Sequence, residues 1–459
     1  MLLPVPYPTD YRITPEYGFL SPEPPLEVLP DPYYGKWETI IRNLRALILS
    51  ERVRSVVDDL PILSTLYLRT DAEWRRAYVL SLEWRSTCRV SCCSRFANAS
   101  EVLPVATYAG LCLWNYKAIF PNEPATDLNN LTCLQTFTGS LDEQWFYLIS
   151  VAIEARGAPS IPLMLQAITA ARVGKSQVVT ECLQRLAEIV DDINSILQRM
   201  DENCDPYVFY NRVRPYLAGS KNMADSSLPT GLLYDTGRGN PKYHHYGGGS
   251  NAQSSLLQFF DIVLGVKHRP TGVDCTDQDP DTSGDGPRPR HNSIHGMREY
   301  MPGPHRKFLE HVETVANVHT FVEARRSDTA LCLAYDSCLA MLRSLRDKHI
   351  QMLSRYIIVQ SHTSGSGPQS LSPAKDRPYT KNVATTTPAN KKKLRDTGGT
   401  ALIPFLKQAR DETGDPAIDT WAHRLSENSQ MEISKLLACA EHGQWMIASA
   451  AYATGDDHD

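Results

Sequence analysis

Residues 328–359 carry the feature that most constrains how this chain can fold. Cys338, Leu342, Leu345, Met352 and Tyr356 follow one another at steps of three and four, or multiples of them. That spacing gathers them on one side of an α-helix, which has 3.6 residues per turn. A helix this long is stable only if its stripe is covered by other helices, so the chain is committed to helical packing around it. His349 falls inside the stripe and is expected to point inward, with Arg346 one turn before it and Arg343 and Arg355 nearby. An inward imidazole with a guanidinium beside it fits a hydrogen-bonded core histidine. It also fits an axial nitrogen for a buried iron porphyrin with an arginine for its propionate.

The same period recurs along the chain. It predicts helices over 141–156, about 162–199, 254–266 and 304–324, and over 36–84 through "KWETIIRNLRALIL" and "DAEWRRAYVLSLEW". The stretch "PVATYAGLCLWNYKAIF", residues 104–120, predicts another apolar helix. Alternating strand patterns are scarce, so the expected class is all-α. Residues 1–35 are proline-rich and irregular. Residues 267–293 and 361–396 are Gly/Pro/Asp-rich and Ser/Thr/Pro-rich and read as loops. Such compositions bury too little apolar area to offset their ordering entropy.

With 459 residues, 42% of them hydrophobic, the chain has room for two or three domains and a sizeable core. No apolar run is expected to approach the ~20 residues of a membrane span, and the proline-broken start "MLLPVPYPTDYRITPEYGF" does not read as a signal peptide. The expectation is a cytoplasmic protein with no membrane partner. A net charge of −5 without a long basic block argues against nucleic acid. The eleven cysteines are expected to be reduced thiols. Cys88, Cys92 and Cys93 are dense enough for a metal but lack a second CxxC or HxxxH half. Lys391–Lys393, His291 and His295 read as solvated loop residues.

Three further stretches can shape a ligand site. In "EQWFYLISVAIEARG", Phe146 and Ser150 are four apart and share a helix face, either as buried helix packing or as one wall of a flat aromatic pocket. In "YVFYNRVRPYLAGSKN", Phe209 and Arg214 suit a ligand with a ring and a carboxylate, although a surface arginine at a helix end is equally natural. In "YGGGSNAQSSLLQFFDIVLGV" a glycine run precedes an apolar helix without a GxxxxGK[ST] or a strand-borne GxGxxG. It is either a plain turn or a close backbone approach to a flat cofactor. "DTGGT", residues 396–400, is a similar turn that can close over a ligand. No Ser-His-Asp order, HExxH or paired-carboxylate motif is present. The few polar groups around an aromatic pocket favour a cofactor as the carrier of the chemistry.

Taken together, these stretches resemble the indoleamine 2,3-dioxygenase family, its fungal members in particular. The resemblance rests on "EYGFL", "LPDPYYGKWE", "YAGLCLWNY", "WFYLISVAIEA", "FYNRVRPYLAG", "GGGSNAQSSLLQFFDIVLGV", "MREYMPGPHRKFL", "AYDSCLAMLRSLRDKHIQMLSRYI" and "DTGGTALIPFLKQARDET", collinear over most of residues 12–413. It implies a smaller N-terminal helical domain, 1–134, and a large haem-binding domain, 135–412. Segment 85–103 and an extension at 413–459 depart from the family pattern. The implied activity is insertion of O₂ into the indole C2–C3 bond of L-tryptophan to give N-formylkynurenine, on the kynurenine route towards NAD. The implied cofactor is haem b, kept ferrous by an electron donor, in a monomer, with no protein acid or base required.

Residue by residue, the resemblance implies that His349 is the proximal iron ligand and that Arg346 contacts a propionate. Ser250, Asn251 and Ala252 match the turn beside haem. Phe146, Ser150, Phe209, Arg214, Tyr108, Cys112, Thr397, Gly398 and Gly399 match substrate-side positions. An altered segment at 85–103 leaves one alternative, a catalytically impaired haem-binding or sensing descendant.

Overall fold

The computed structural model describes residues 3–58, 64–83, 101–123, 127–222, 230–234, 242–269, 293–363 and 402–418. Helices of eight residues or more are numbered here in chain order. They are α1 Gly35–Arg42, α2 Asp71–Glu83, α3 Leu141–Gly157, α4 Ser160–Arg172, α5 Ser176–Gln198, α6 Ser255–Leu264, α7 Gly303–Val315, α8 Thr329–Leu353 and α9 Leu402–Gly414. Strand structure among the described residues is confined to two short antiparallel ribbons. One pairs Tyr116–Ala118 with Leu131–Cys133, and the other pairs Leu232–Tyr234 with Lys242–His244. The all-α expectation holds.

Helix α8 is the axis of the large bundle. It packs along α5, with α9 against its second half and α6 beside it, while α5 also covers α4 and α3. Its stripe is buried as the period requires: Cys338, Leu342 and Leu345 are all in the core. Polar side chains fix the register. Tyr335 donates its hydroxyl to the Leu264 carbonyl at the end of α6, and the Cys338 thiol lies 2.9 Å from the Leu183 carbonyl on α5. Asp328 caps α8 by accepting the Leu331 N–H, and Ser140 and Ser254 do the same for α3 and α6 through Glu143 and Leu257. Gly265 ends α6 at φ +75°, a conformation a side chain makes costly.

Three helical expectations change on inspection of the fold. The run 162–199 divides into α4 and α5, because Gly174 turns the chain at φ +74°. The run 304–324 divides at Ala316–Asn317 into α7 and a short helix Val318–Glu323. The helix expected over 104–120 is overturned. Only a π-helical turn, Ala109–Leu113, forms there, and Tyr116–Ala118 leaves as a strand. Asn115 is the cause. Its amide bonds the carbonyls of Leu111 and Gln135 and accepts the Gln135 N–H, which ends the helix and docks the second strand.

Leu141–Arg172, α3 and α4 together, is long and apolar enough by length and composition to cross a membrane, which corrects the expectation that no run approaches that length. Its most apolar window is 72% buried inside the protein, as for a core helix. At the N-terminal end, Glu38 of α1 and Arg76 of α2 form a buried ion pair at 2.7 Å, and Glu38 also accepts the Leu29 N–H. Arg76 reaches both Glu38 oxygens, through Nε at 3.2 Å and Nη2 at 2.7 Å, and so ties α2 to α1.

Candidate functional site

Helix α8 carries His349 one turn after Arg346. Protein surrounds the imidazole closely enough that burial, reinforced by the Arg346 charge, pushes its pKa down to about 4. The ring is thus neutral at physiological pH. The residue as a whole is half-buried. Neither ring nitrogen bonds a described residue. A neutral imidazole with an available nitrogen is what an axial metal ligand must be, so this residue fits a haem iron.

Arg346, the residue expected beside a propionate, is held by groups of the protein itself. Its Nη2 holds both oxygens of Asp261 on α6, at 2.6 and 2.7 Å, and its Nη1 reaches the Ala409 carbonyl and the Thr413 hydroxyl on α9. The guanidinium therefore ties α8 to α6 and α9 directly behind His349. Burial alone would raise the Asp261 pKa. The charges of Arg346 and His268 outweigh it and hold the carboxyl below its ordinary range.

On the other side, Phe146 of α3 and Phe209 meet with ring centroids 4.7 Å apart, tilted by 44°. Phe209 in turn meets the edge of Tyr356 at 5.8 Å. Tyr356 lies seven residues beyond His349, in the π-helical segment Ser354–Val359 that continues α8. Its hydroxyl is fixed by Asp201 at 2.9 Å and by the Cys204 carbonyl at 2.6 Å.

The backbone around Phe209 explains how Arg214 joins it. Residues five apart on an α-helix point about 140° away from each other. Here Phe209–Val213 is a π-helical turn, closed by the Arg214 N–H on the Phe209 carbonyl. That i to i+5 bond brings the two residues almost one above the other. Arg214 is 1% exposed, with its guanidinium carbon 5.5 Å from the Tyr210 ring. A flat ring and a buried fork-shaped cation are thereby set side by side.

Tyr108 precedes the π-helical turn Ala109–Leu113 and Cys112 lies within it, and both are buried. Burial raises the Cys112 pKa, so its thiol stays protonated, and Ser150 is close enough to act on both Tyr108 and Cys112. Ser250 caps the turn Asn251–Gln253 by accepting the Ala252 N–H, and Gln253 reaches back to Gly248. The glycine run makes its close approach to the protein's own backbone: a Cβ on Gly248 would stand 1.9 Å from the Leu217 carbonyl.

Thr397, Gly398 and Gly399 lie outside the described residues, as do Cys88, Cys92, Cys93, His291 and Lys391–Lys393. Asp261, Glu154, Gln253, His268 and Tyr356 were not singled out as site residues in the sequence. Asp261 alone gave a signal, as the one charge in the apolar run "LLQFFDIVLGV".

Comparison with known proteins accords with this geometry. The family model of indoleamine 2,3-dioxygenase matches residues 7–84 and 92–416. Indoleamine 2,3-dioxygenase of Saccharomyces cerevisiae is 37% identical over 89% of this chain and 93% of its own length. Indoleamine 2,3-dioxygenase acdA of Aspergillus candidus is 38% identical over 88% of this chain and 96% of its own. The 6-hydroxytryptophan 2,3-dioxygenase fscD of Fusarium equiseti is 34% identical over 88% and 96%. The helical fold and these matches define an oxidoreductase of the dioxygenase class. Within that class, the chain belongs to the indoleamine 2,3-dioxygenase family, whose members are haem enzymes acting on tryptophan or indoles. The unmatched residues 85–91 fall inside segment 85–103, and those after 416 inside the stretch 413–459.

Proposed function

We propose that this chain is a haem b dioxygenase that opens the indole C2–C3 bond of L-tryptophan to N-formylkynurenine, supplying a route towards NAD. Haem, when bound, supplies the activation of O₂. His349 holds it through a neutral nitrogen, and Arg346 keeps the helix behind that nitrogen fixed through Asp261. The carrying observation is the π-helical turn that sets Phe209 and Arg214 side by side next to Phe146. It supports a substrate with a flat ring and a carboxylate, an aromatic amino acid. Phe146 and Phe209 orient the ring, and Arg214 takes the carboxylate by a charge-assisted fork. Ser150, Tyr108 and Cys112 close the far wall without offering an ionised base, since the thiol and phenol both stay protonated.

A second reading, ring-hydroxylated tryptophan as preferred substrate, is favoured by the name of the Fusarium equiseti relative. Purified protein loaded with haem and kept ferrous by a reductant, given O₂ and either L-tryptophan or 6-hydroxy-L-tryptophan, tests both. The expected result is N-formylkynurenine absorbance with the higher kcat/KM for L-tryptophan. A higher value for the hydroxylated substrate selects the second reading. A Soret band without any turnover selects the impaired haem-binding descendant.

A further inference from the structure

Glu154 plays no part in the roles above, yet it bonds two segments beside the proposed substrate-side residues, at Tyr108 and Ser254. It lies four residues after Ser150 and eight after Phe146 on α3, and its side chain is fully buried. Its Oε1 accepts two hydrogen bonds, from the Tyr108 hydroxyl at 3.1 Å and from the Ser254 hydroxyl at 2.7 Å. Ser254 is the N-cap of α6, and Tyr108 opens the π-helical turn that carries Cys112. Tyr108 is gripped a second time, its N–H donating to Gln253 Oε1 at 2.8 Å. One carboxyl thus joins α3, the 108–112 segment and the 250–254 turn.

The other oxygen, Oε2, is buried and bonds no described group, and no described cation is paired with Glu154. A buried carboxylate needs donors or a counter-charge on both oxygens, whereas a neutral acid needs far less. In the neutral acid form, Oε1 is the carbonyl oxygen that accepts both hydrogen bonds and Oε2 is the oxygen that bears the proton.

We propose that Glu154 is a positioning residue of the substrate pocket that works as a neutral acid, locking Tyr108 to the N-cap of α6 so that the two walls keep one spacing. Ionising it places an unpaired charge between those walls and loosens the lock. Burial, against both hydrogen bonds, pushes its pKa up to about 7, so the transition falls near neutrality. The titratable groups around it do not change charge there. Burial holds Tyr108 and Cys112 protonated, and His305 of α7, bonded to Ser255, is pushed down to about 3 by burial and by Arg75. The kinetic consequence rests on the function proposed above, but the lock itself does not.

The test compares the full-length wild type with Glu154→Gln and Glu154→Ala. Gln keeps a carbonyl for both hydroxyls and cannot ionise. With haem bound, the wild-type KM for L-tryptophan is expected to rise roughly threefold to tenfold as pH increases through neutrality, with kcat little changed. Glu154→Gln should show the low-pH KM throughout, and Glu154→Ala the raised KM at every pH. Thermal midpoints of the same proteins without haem supply a readout independent of catalysis. The wild type should lose stability relative to Glu154→Gln between about pH 4.5 and 7 and run parallel to it above. Parallel midpoints for wild type and Gln across that window, or a Gln variant as impaired as Ala, overturn the proposal. If no variant turns over an indole, the functional reading fails and the midpoints alone decide the lock.

Discussion

Arg346 on α8 grips both carboxylate oxygens of Asp261 on α6, at 2.6 and 2.7 Å, in a setting where the carboxylate is almost fully buried. His268 bonds the same carboxylate from the other side at 2.9 Å. Asp261→Asn keeps the shape and removes the charge that both neighbours need. Breaking one partner out of a buried pair typically costs about 3–5 kcal/mol. The variant should melt many degrees below wild type and retain less haem, because Arg346 and His349 share one turn of α8. Thermal denaturation and the ratio of haem to protein absorbance check this. A wild-type midpoint would show that the pair contributes little.

His268 makes that junction sensitive to alkali. Its Nδ1 bonds Glu412 of α9 at 2.7 Å while Nε2 bonds Asp261. Burial works against protonation, but Asp261 and Glu412 outweigh it and raise the His268 pKa above its ordinary 6.5. A raised histidine pKa means the folded state holds the proton more tightly than the unfolded chain does. The stabilisation is fully present below about pH 6.5 and is lost as pH rises through the folded-state pKa. Urea midpoints measured from pH 6 to 9 should fall for the wild type and fall less for His268→Gln. Equal slopes would show that His268 does not carry the effect.

Arg214 is nearly inaccessible, and the π-helical turn aims it alongside Phe209. Under the proposed function, Arg214→Leu removes a charge-assisted contact typically worth roughly 1.5–3 kcal/mol, which is about a tenfold to hundredfold loss of tryptophan affinity. Arg214→Lys keeps the charge but not the fork and should fall between the two. Tryptophan-induced shifts of the haem spectrum report affinity directly, and haem content should be unchanged. An unaltered affinity in Arg214→Leu would place the carboxylate elsewhere.

How much of this was legible in the sequence depends on which geometry each residue obeys. His349 could be placed on an inward face because α8 keeps the 3.6-residue period over its whole length. Phe146 and Ser150 shared a face for the same reason. The partnership of Phe209 with Arg214 had no such basis, since an α-helix separates residues five apart and only the π-helical turn reunites them. The 104–120 stretch misled because apolar composition says nothing of Asn115, whose side chain captures backbone from both sides. Glu154 was one step beyond Ser150 on a visible face, but a carboxyl in a helix is ordinarily assigned to solvent. Its burial depends on Tyr108 and Ser254, which lie 46 and 100 residues away. Local periodicity reveals faces, and long-range hydrogen bonds decide which polar groups those faces can bury.

His349 gives the most direct test of the cofactor. The ring is neutral, partly accessible, and bonded to no described residue through either nitrogen. A histidine serving only the core would usually find a hydrogen-bond partner within the protein. His349→Gly removes the nitrogen and leaves space for a small replacement. The variant should purify with little or no Soret absorbance, while its far-ultraviolet circular dichroism keeps the helical signal. Added imidazole should restore haem binding, since it returns the missing donor atom without the tether. A Soret band of wild-type position and intensity in His349→Gly, with no imidazole present, would remove this histidine from the role of iron ligand and with it the proposed placement of the haem.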